Sequence, residues 1–459
     1  MPFPSRLRRP AIAAAGLSLA AVFATSATAA PAPAVPNDPA PAPSARAATF
    51  TTAPVKVSVP DAIDFAPFDR TRTLDVPDGW SASVVARPKK ARLLAVTPDG
   101  RLLVSRPEYG LITRLTPNKR GYPTSSTLVK GLRQPHGMAF DGSTLYVAES
   151  NRIDRYTYKN GKVGKRTTVL SGLPDSKSKD LGGAYAHALK SLAVGPDHAL
   201  YVSIGSRANV SPDDRSAKPQ RASVLRVDPK TGKYTTFARG VRNGTGLAIA
   251  PDGALWTAVN NRDNTAYPYH RDYDGDGSDD YGKVMKSYVS DHPVEPIAKL
   301  TKGRDLGWPY CNPDPDVIPG APGTAFDYSK RPFLRDVQTN ASGSKLDCSK
   351  LAPVEQGLPA HSAPLGMSFA SPAGMGAGAL VGAHGSWNAT PPRAPRVVFL
   401  PYANGELGAP QTLVSGWQSA SGSRWGRSVA AVQGPDGSVY VSDDMAGAVY
   451  KLTPPPARN

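Results

Sequence analysis

The chain has 459 residues, 40% of them hydrophobic, and carries a formal net charge of +17. Its Lys and Arg residues are scattered, without a dense basic run or a nucleic-acid-binding motif. The charge therefore indicates solubility and attraction to anionic envelopes, not a nucleic-acid partner. With 47 Pro and 43 Gly, the sequence excludes long helices and favours short strands joined by turns.

The N-terminus has the pattern of a targeting segment. Arg6, Arg8 and Arg9 precede an apolar stretch over residues 11–24, and residues 27–29 offer a small-residue cleavage site. These features predict a secretory signal peptide over residues 1–29 and a mature protein that is secreted, either extracellular or in an envelope space. The apolar stretch is too short to span a bilayer comfortably, and no later segment has transmembrane length, so no membrane span is expected.

A Pro/Ala-rich stretch follows from Pro31 to Ala48, with almost no large apolar side chains. Such a segment cannot bury enough surface to offset the entropy lost on ordering. We therefore predict a disordered linker over residues 30–60, with a wall-tethering stalk as the alternative. The remainder, residues 61–459, is predicted to form a single domain.

One phrase recurs six times in that remainder: an apolar run, a turn of the Pro-Asp-Gly kind, a second apolar run and a polar end. The copies occupy residues 93–105, 137–150, 191–206, 246–261, 366–388 and 431–444. Each reads as a β-hairpin, because β-branched and aromatic residues flank a cluster of turn formers. Several copies continue into a further strand, such as residues 222–227 and 448–452.

Six similar units of three to four short strands are typical of an all-β, six-bladed β-propeller. A pair of β-sandwiches is the alternative, but it does not require six matching hairpins. In a propeller the innermost strands surround a central channel, and the loops at one mouth of that channel build the ligand site. Polar residues beside the repeated hairpins are therefore the functional candidates.

Cys311 and Cys348 are the two cysteines of the chain. In an exported protein such a pair is expected to form one disulfide, with two free structural thiols as the alternative.

Beyond the hairpin phrase, several segments follow one another in a specific order and spacing. They are QPHG (134–137), HALKSLAVGPD (187–197), VRNG (241–244), VNNRD (259–263), GWPYC (307–311), HSAPLG (361–366), HGSWN (384–388) and GRSVAAVQGPDG (426–437). Together they cover most of residues 75–453. They resemble the glucose/sorbosone dehydrogenase family, the soluble sugar dehydrogenases that use pyrroloquinoline quinone (PQQ), and especially its sorbosone-dehydrogenase-like branch.

The resemblance implies PQQ and Ca²⁺ as cofactors at the channel mouth. PQQ carries three carboxylates, which guanidinium groups bind well. By motif position, Gln134, Arg242, Asn243 and Arg427 match the family's cofactor-binding residues. Val429 stands where the family has a second arginine, so Arg393 is a candidate replacement, with Arg396 as a rival. The alternative for each arginine is a solvated or sheet-edge charge.

Sugar oxidation also needs a base for the hydroxyl proton, and histidine has a suitable pKa. His187 lies directly before the third hairpin, where the resemblance places the catalytic histidine. His136, His361 and His384 are rivals because each lies in one of the motifs. The alternative for any one of them is a capping or core imidazole.

Two calcium sites are expected. The resemblance places the cofactor's calcium ligands after the fourth hairpin, at Asn261 and Asp263, although an acidic residue is common where Asn261 stands. Separately, Asp272, Asp274, Asp276 and Asp280 follow a calcium-loop spacing over residues 272–283, with Gly277 at the turn position. Lys283 stands where a bidentate Glu is expected. The alternative for this loop is an acidic surface turn.

We therefore predict a secreted PQQ- and Ca²⁺-dependent dehydrogenase for an aldose or sorbosone-type sugar, with a small-molecule substrate and an external electron acceptor. A monomer or small homo-oligomer is expected. Two other functions stay open: a glycan- or envelope-binding propeller without turnover, and a calcium-dependent lactonase of the gluconolactonase type.

Overall fold

The computed structural model describes residues 49–118, 122–178, 181, 183 and 185–456. The predicted signal peptide and residues 30–48 of the predicted linker lie outside the described residues. Residues 49–60 of that linker include strand β1 (Thr52–Lys56), which pairs antiparallel with β2 (Thr73–Pro77). Val57, directly after β1, is buried in an apolar cluster. This corrects the predicted boundary at residue 60, because the folded chain already includes β1.

Six antiparallel sheets of four or five strands form the blades of a propeller. The strands of blades one to three are β4 (Leu94–Val96), β5 (Leu102–Arg106), β6 (Leu111–Thr116) and β7 (Thr124–Lys130); β8 (Met138–Asp141), β9 (Thr144–Ala148), β10 (Arg152–Lys159), β11 (Lys162–Val163) and β12 (Thr167–Ser171); β13 (Leu192–Val194), β14 (Leu200–Ile204), β15 (Ser223–Val227) and β16 (Tyr234–Arg239).

The strands of blades four to six follow the same plan. They are β17 (Gly246–Ile249), β18 (Leu255–Ala258), β19 (Glu295–Leu300) and β22 (Gln356–Leu358); β23 (Pro364–Ala370), β24 (Gly378–Ala383), β25 (Arg396–Ala403), β26 (Glu406–Leu407) and β27 (Gln411–Val414); β28 (Ser428–Gln433), β29 (Val439–Asp443), β30 (Ala448–Thr453) and, from the N-terminal side, β3 (Ser81–Ala86). The first two strands of every blade coincide with the six predicted hairpins.

The innermost strands establish the ring. In turn, β28 contacts β4, β4 contacts β8, β8 contacts β13, β13 contacts β17, β17 contacts β23 and β23 contacts β28. This closed cycle of six confirms the predicted all-β, six-bladed propeller. The ring is fastened by β3, which pairs with β30 so that one blade combines both ends of the described chain.

The core is divided among the gaps between blades. Six clusters of buried apolar side chains each contain residues of two neighbouring blades. Between blades two and three, for example, Tyr146 and Ile153 pack with Leu200 and Val202. Alternate residues of each strand thus bury their side chains against the next blade, as the period of a pleated strand requires.

Two long insertions interrupt blade four, at residues 259–294 and 301–355. The first contains helix α1 (Lys286–Val289), and the second contains the hairpin β20 (Cys311–Pro313) and β21 (Phe333–Arg335). The predicted disulfide between Cys311 and Cys348 is confirmed and lies in the second insertion. Short 3₁₀ helices occur at Asp61–Ile63, Pro107–Tyr109, Pro212–Arg215 and Cys348–Lys350.

Among the residues described, no helix combines the length and apolar character needed to cross a bilayer.

Candidate active site at the channel mouth

The antiparallel order of the strands brings two sets of residues to one mouth of the ring, which we call the site mouth. The innermost strand of each blade begins there, and the second strand of the same blade ends there. Residues just before the innermost strands are Arg92, Gln134, His136, His187, Arg242, Asn243, His361 and Arg427. Residues at or after the ends of second strands are Ser206, Asn260, Asp263, His384, Asn388, Asp443 and Asp444.

His187 is half-buried, with one side of its ring fixed. Its Nδ1 lies 2.8 Å from the Ser206 hydroxyl and 3.1 Å from the Ser206 carbonyl oxygen. Because a carbonyl can only accept, Nδ1 carries the proton, and Nε2 keeps its lone pair. Among the described residues, Nε2 has no hydrogen-bond partner. Burial, together with the charge of Arg242, lowers the pKa of His187 to about 3, so the ring is neutral near pH 7.

A glycine makes room for this imidazole. A Cβ at Gly205 would lie 2.5 Å from the His187 Cβ and 3.2 Å from the Asn243 side-chain oxygen. Any other residue would therefore displace His187 from its place beside Asn243.

The rival histidines have hydrogen-bond partners different from those of His187. His136 is fully buried, and burial lowers its pKa well below the usual value. His384 Nε2 bonds to Asp444 at 2.9 Å, and burial lowers the pKa of His384 to about 4. His361 has acceptors at both nitrogens, the Asp263 carboxylate at 3.1 Å and the Val289 carbonyl at 2.6 Å. His187 and His384 are thus both half-buried with one ring nitrogen free of hydrogen bonds among the described residues, and His187 differs from His384 in lying beside the buried Arg242.

Arg242 is a buried cation beside His187. Its guanidinium donates to the carbonyl oxygens of Asn209 and Asn260, and to the side-chain oxygen of Asn209 at 3.0 Å. Asn209 also donates to the Asp263 carbonyl and accepts from the Asp263 amide, so it ties the two segments together. Burial lowers the pKa of Arg242 to about 10, which leaves it charged at neutral pH.

Asp263 is the anion opposite Arg242. Its Oδ1 accepts from Asn388 at 2.8 Å and from His361. Burial alone would raise the pKa of Asp263, but the His361 hydrogen bond and the charge of Arg242 lower it below its usual value. Asp263 is therefore a carboxylate at neutral pH, with Oδ2 free of hydrogen bonds among the described residues.

His361 has a backbone conformation that is uncommon for a side-chain-bearing residue. Its φ is 62°, and Gln134, before the innermost strand of blade two, has a φ of 49°. Such left-handed residues outside glycine are uncommon and are often found at functional sites.

Arg427 and Arg92 supply positive charge on the other side of the site mouth. Arg427 donates to the carbonyl oxygens of His384 and Gly385, and Arg92 pairs with Asp444 at 2.8 Å. Although burial acts in the opposite direction, the His384 hydrogen bond and the Arg92 charge hold the pKa of Asp444 below its usual range. Residues 384–388 thus connect Arg427 at one end with Asp263 at the other.

The remaining predicted cofactor residues lie at the edges of this arrangement. Gln134 is half-buried at the site mouth and has no side-chain hydrogen bond among the described residues. Arg393 pairs with Asp291 and donates to the Ala360 and Ser290 carbonyl oxygens, so its guanidinium is engaged by the first insertion. Val429 is buried inside β28.

The two predicted cofactor-calcium ligands, Asn261 and Asp263, have different hydrogen-bond partners. Asp263 faces the site, whereas the Asn261 side-chain amide donates to the Val294 carbonyl at 3.0 Å. The Asn261 backbone amide also binds Glu295, whose pKa burial raises to about 7. Asn261 is therefore held to Val294 and Glu295 through its NH groups, and its side-chain oxygen accepts no hydrogen bond among the described residues.

In the predicted calcium loop, one carboxylate oxygen each of Asp272, Asp274 and Asp276 lies within 4.8 Å of the others. Asp280 is turned to the loop's own backbone, where it accepts from the Tyr273 and Asp274 amides and pairs with Lys283.

Comparison with known proteins places the chain in a family. A family model described as TrAA12-like matches residues 74–455. The chain belongs to the TrAA12-like family. The predicted relationship to the PQQ-dependent soluble sugar dehydrogenases is thereby confirmed.

Relatives in sequence are distant. An uncharacterized protein of Borreliella burgdorferi is 24% identical over 413 residues, covering 85% of this chain and 93% of that protein. A pyrroloquinoline quinone-dependent pyranose dehydrogenase of Coprinopsis cinerea is 26% identical over 280 residues. That match covers 54% of this chain and 37% of the relative, so the chain aligns with well under half of the relative's length.

Solved structures share the TrAA12-like fold. The holo PQQ domain of Coprinopsis cinerea pyranose dehydrogenase superposes with a TM-score of 0.67 at 20% identity, covering 83% of this chain and 97% of that domain. The calcium structure of the Trichoderma reesei family AA12 enzyme gives 0.64 at 21% identity, covering 82% and 96%.

This TrAA12-like chain also has site-mouth residues that sequence reasoning missed. Asn209, Asn388 and Arg92 are each bonded to, or beside, a predicted residue; Asn388 lies in the HGSWN motif, whereas Asn209 and Arg92 lie in none of the motifs. Trp387 lies between His384 and Asn388 and is 76% exposed, the most exposed of the large hydrophobic residues described. The sequence signal that could have identified Trp387 was its place within the HGSWN motif.

Proposed function

We propose that this chain is an exported PQQ- and Ca²⁺-dependent sugar dehydrogenase in which His187 is the base. The observation that carries the proposal is the free Nε2 of a neutral, half-buried His187 beside the buried Arg242 guanidinium, at the same mouth as Asp263 and Arg427. When bound, PQQ would supply a two-electron acceptor for the sugar's hydride, and Ca²⁺ would supply a Lewis acid.

The charges of the site mouth support an anionic, planar cofactor. Arg242 and Arg427 are buried or half-buried cations on opposite sides of residues 384–388, and the buried Arg92 Nε has no hydrogen-bond partner among the described residues. Buried donors without partners are costly, and carboxylates would satisfy them. Gln134 and Asn243 add neutral donors, so these five residues would hold the cofactor.

Oxygen atoms suited to a hard cation lie at one edge of this set. Asp263 Oδ2 is free of hydrogen bonds among the described residues, and the buried Asn388 Oδ1 has no partner there either. Carboxylate and amide oxygens are ligands that calcium prefers. Asp263 and Asn388 would therefore hold Ca²⁺. Asn261 would position the backbone next to Asp263 through its bonds to Val294 and Glu295.

His187 would take the proton from a sugar hydroxyl at Nε2. Ser206 holds Nδ1 and so fixes the ring orientation and the tautomer that a base requires. The nearby charge of Arg242 contributes to the low pKa of His187. Carboxylates bound at Arg242 would offset that charge, so the pKa of His187 should rise toward the working range in the loaded protein.

The test is reconstitution of the purified chain with PQQ and Ca²⁺, followed by measurement of protein-bound quinone absorbance and of dye reduction across a panel of aldoses. His187→Ala should retain bound quinone and lose turnover by at least ~100-fold. Arg242→Ala should bind PQQ about 10- to 100-fold more weakly, because it removes charge-assisted hydrogen bonds. His198→Ala is the matched control, since His198 lies in the turn between β13 and β14, at the opposite mouth.

Three outcomes would contradict the proposal in different ways. Full turnover by His187→Ala would remove His187 as the base. Bound quinone without dye reduction on any sugar would indicate a binding propeller. Metal-dependent lactone hydrolysis without quinone would indicate the lactonase chemistry.

A further inference from the structure

A second polar cluster lies between the two insertions of blade four. His292 follows helix α1 in the first insertion, and Asp314 and Asp316 follow β20 in the second. All three are at least 97% buried, and one ligand atom of each lies within 4.8 Å of the others. None of the three belongs to the site described above.

The hydrogen bonds of His292 determine which ring nitrogen carries the proton. Its Nδ1 is 2.9 Å from the Tyr288 carbonyl oxygen, which can only accept, so Nδ1 donates. Nε2 then presents a lone pair to Asp316 Oδ1 at 2.9 Å and to Asp314 Oδ1 at 3.7 Å. A lone pair facing two carboxylates requires a positive centre between them, either a proton or a metal ion.

A proton shared by His292 and Asp316 would leave neighbouring oxygens unsatisfied. Asp314 Oδ2, Asn312 Oδ1 and Thr265 Oγ1 are buried and have no hydrogen-bond partner among the described residues. Asn312, Asp314, Thr265 and His292 line one small cavity of about 10 Å³. This volume suits a single small occupant, and buried oxygens without partners are rare in folded proteins.

The backbone around the cluster is already satisfied, so the side chains are what remains to bind a ligand. Arg331 donates to the carbonyl oxygens of Asp314 and Asp316, and the Gly320 amide donates to Asp316 Oδ2 at 3.0 Å. The Asn312 side-chain amide donates to Asp336 at 2.8 Å, which fixes its oxygen toward the cavity side.

We propose that His292, Asp314 and Asp316 bind one divalent transition-metal ion of the Zn²⁺ kind, with Asn312 as an additional oxygen donor. Separations of 2.9 and 3.7 Å from Nε2 to the two carboxylates are close to those of ligands about 2 Å from one ion. An imidazole whose other nitrogen donates to a backbone carbonyl is the usual arrangement for a metal ligand. Calcium and magnesium prefer all-oxygen shells, whereas mixed nitrogen and oxygen donors suit zinc.

The ion would join the two insertions, because its ligands come from both. Two carboxylates would neutralise the divalent charge in a place that water cannot reach. The role is structural, so it is independent of the proposed dehydrogenase activity and can be tested without it.

The test uses the full chain stripped with a chelator, reloaded with Zn²⁺, desalted and analysed for metal by mass spectrometry. The wild type should retain one Zn²⁺ per chain more than His292→Gln or Asp314→Asn, and Zn²⁺ should raise its thermal midpoint but not theirs. Co²⁺ in place of Zn²⁺ should give visible d–d absorption in the wild type alone. His270→Gln is the matched control, because His270 forms an exposed pair with Asp279 at 2.7 Å and should keep the full metal content.

Two results would overturn the proposal. One is a stripped wild type that binds no stoichiometric Zn²⁺ and shows no Co²⁺ absorption. The other is a site that holds Ca²⁺ but not Zn²⁺. Since the Zn²⁺ content and Co²⁺ absorption of the wild type decide the first result, that part of the test stands even if a variant fails to fold.

Discussion

At the scale of single residues, the four imidazoles at the site mouth differ in protonation because they differ in burial and in hydrogen-bond partners. His136 and His384 are neutral because burial removes water from them. His361 differs, since two acceptors favour its charged form. His187 is neutral, half-buried and beside the buried Arg242, and its Nε2 is free of hydrogen bonds among the described residues, which is the state that a proton acceptor needs.

The pair of His361 and Asp263 should make stability depend on pH. Burial acts to lower the pKa of His361, but the hydrogen bonds to Asp263 and the Val289 carbonyl raise it above its usual value. A raised pKa in the folded state stabilises the protein fully below the unfolded-state pKa, and this stabilisation is lost as pH rises through the folded-state value. The window of loss therefore lies above about pH 6.5.

We therefore expect His361→Gln to lower the free energy of unfolding by about 2–3 kcal/mol near pH 5 and by less in alkaline solution. Urea unfolding at several pH values measures this. The exposed control His198→Gln should change stability by less than about 0.5 kcal/mol throughout. A deficit of His361→Gln that grows with pH would show that the imidazolium is not the stabilising form.

Trp387 should contribute to sugar binding. It is exposed, and its neighbours bond to Arg427 and Asp263, so its ring is available to a substrate at the site mouth. In the reconstituted protein, Trp387→Ala should raise KM for the preferred sugar about 10-fold, by analogy with a hot-spot aromatic, while bound quinone stays unchanged. Tyr234→Ala, on the exposed outer strand of blade three, should alter neither. A loss of bound quinone in Trp387→Ala would instead assign the ring to the cofactor.

At the scale of elements, the insertions of blade four concentrate the acidic groups of the fold. The loop over residues 272–283 holds three carboxylates close together, while Asp280 supports the backbone and Lys283 occupies the place of a further acidic ligand. The missing carboxylate reduces the negative charge available to a cation, so affinity should be modest.

Calcium should bind this loop and raise the thermal midpoint. Asp274→Ala should weaken calcium binding by about 10-fold or more, because one of three charged ligands is removed. Titration calorimetry measures the change, and Asp61→Ala, in an exposed 3₁₀ helix, is the control. Equal affinity in Asp274→Ala and the wild type would leave the loop as an acidic turn.

At the scale of the whole molecule, the propeller depends on strand β3. This strand comes from the N-terminal side and completes blade six, so the ring has no open edge between its first and last units. Trp80 and Val84 beside and within β3 are buried with Trp417 and Tyr450 in the largest apolar cluster.

A chain beginning at residue 49 should therefore unfold in one cooperative transition, like the full chain. A chain beginning at Arg87 should lose that transition and aggregate, because it exposes the edge of β30 and the apolar cluster. Thermal unfolding followed by circular dichroism, together with size-exclusion chromatography, distinguishes the behaviour of the two truncated chains. Equal midpoints for both truncations would show that the ring closes without β3.

The sequence by itself determined the number of blades and the disulfide. Each of these depends on local patterns: alternation along strands, turn formers such as Gly100 between them, and a single pair of cysteines. His187 and Arg242 were predicted from the resemblance of their motifs to a known family, and their roles stay a prediction; the structure places both before innermost strands, at the site mouth. The boundary at residue 60 was wrong because β1 is recognisable only through its partner β2.

Only the tertiary structure decided which polar groups meet. Asn388 bonds to Asp263 across 125 residues of chain, and Arg393 is held by Asp291 from another blade's insertion. His292 meets Asp314 and Asp316 only because two separate insertions fold against each other. Contacts of this kind, and the burial that sets the protonation of each imidazole, depend on distances between elements that no local sequence pattern encodes.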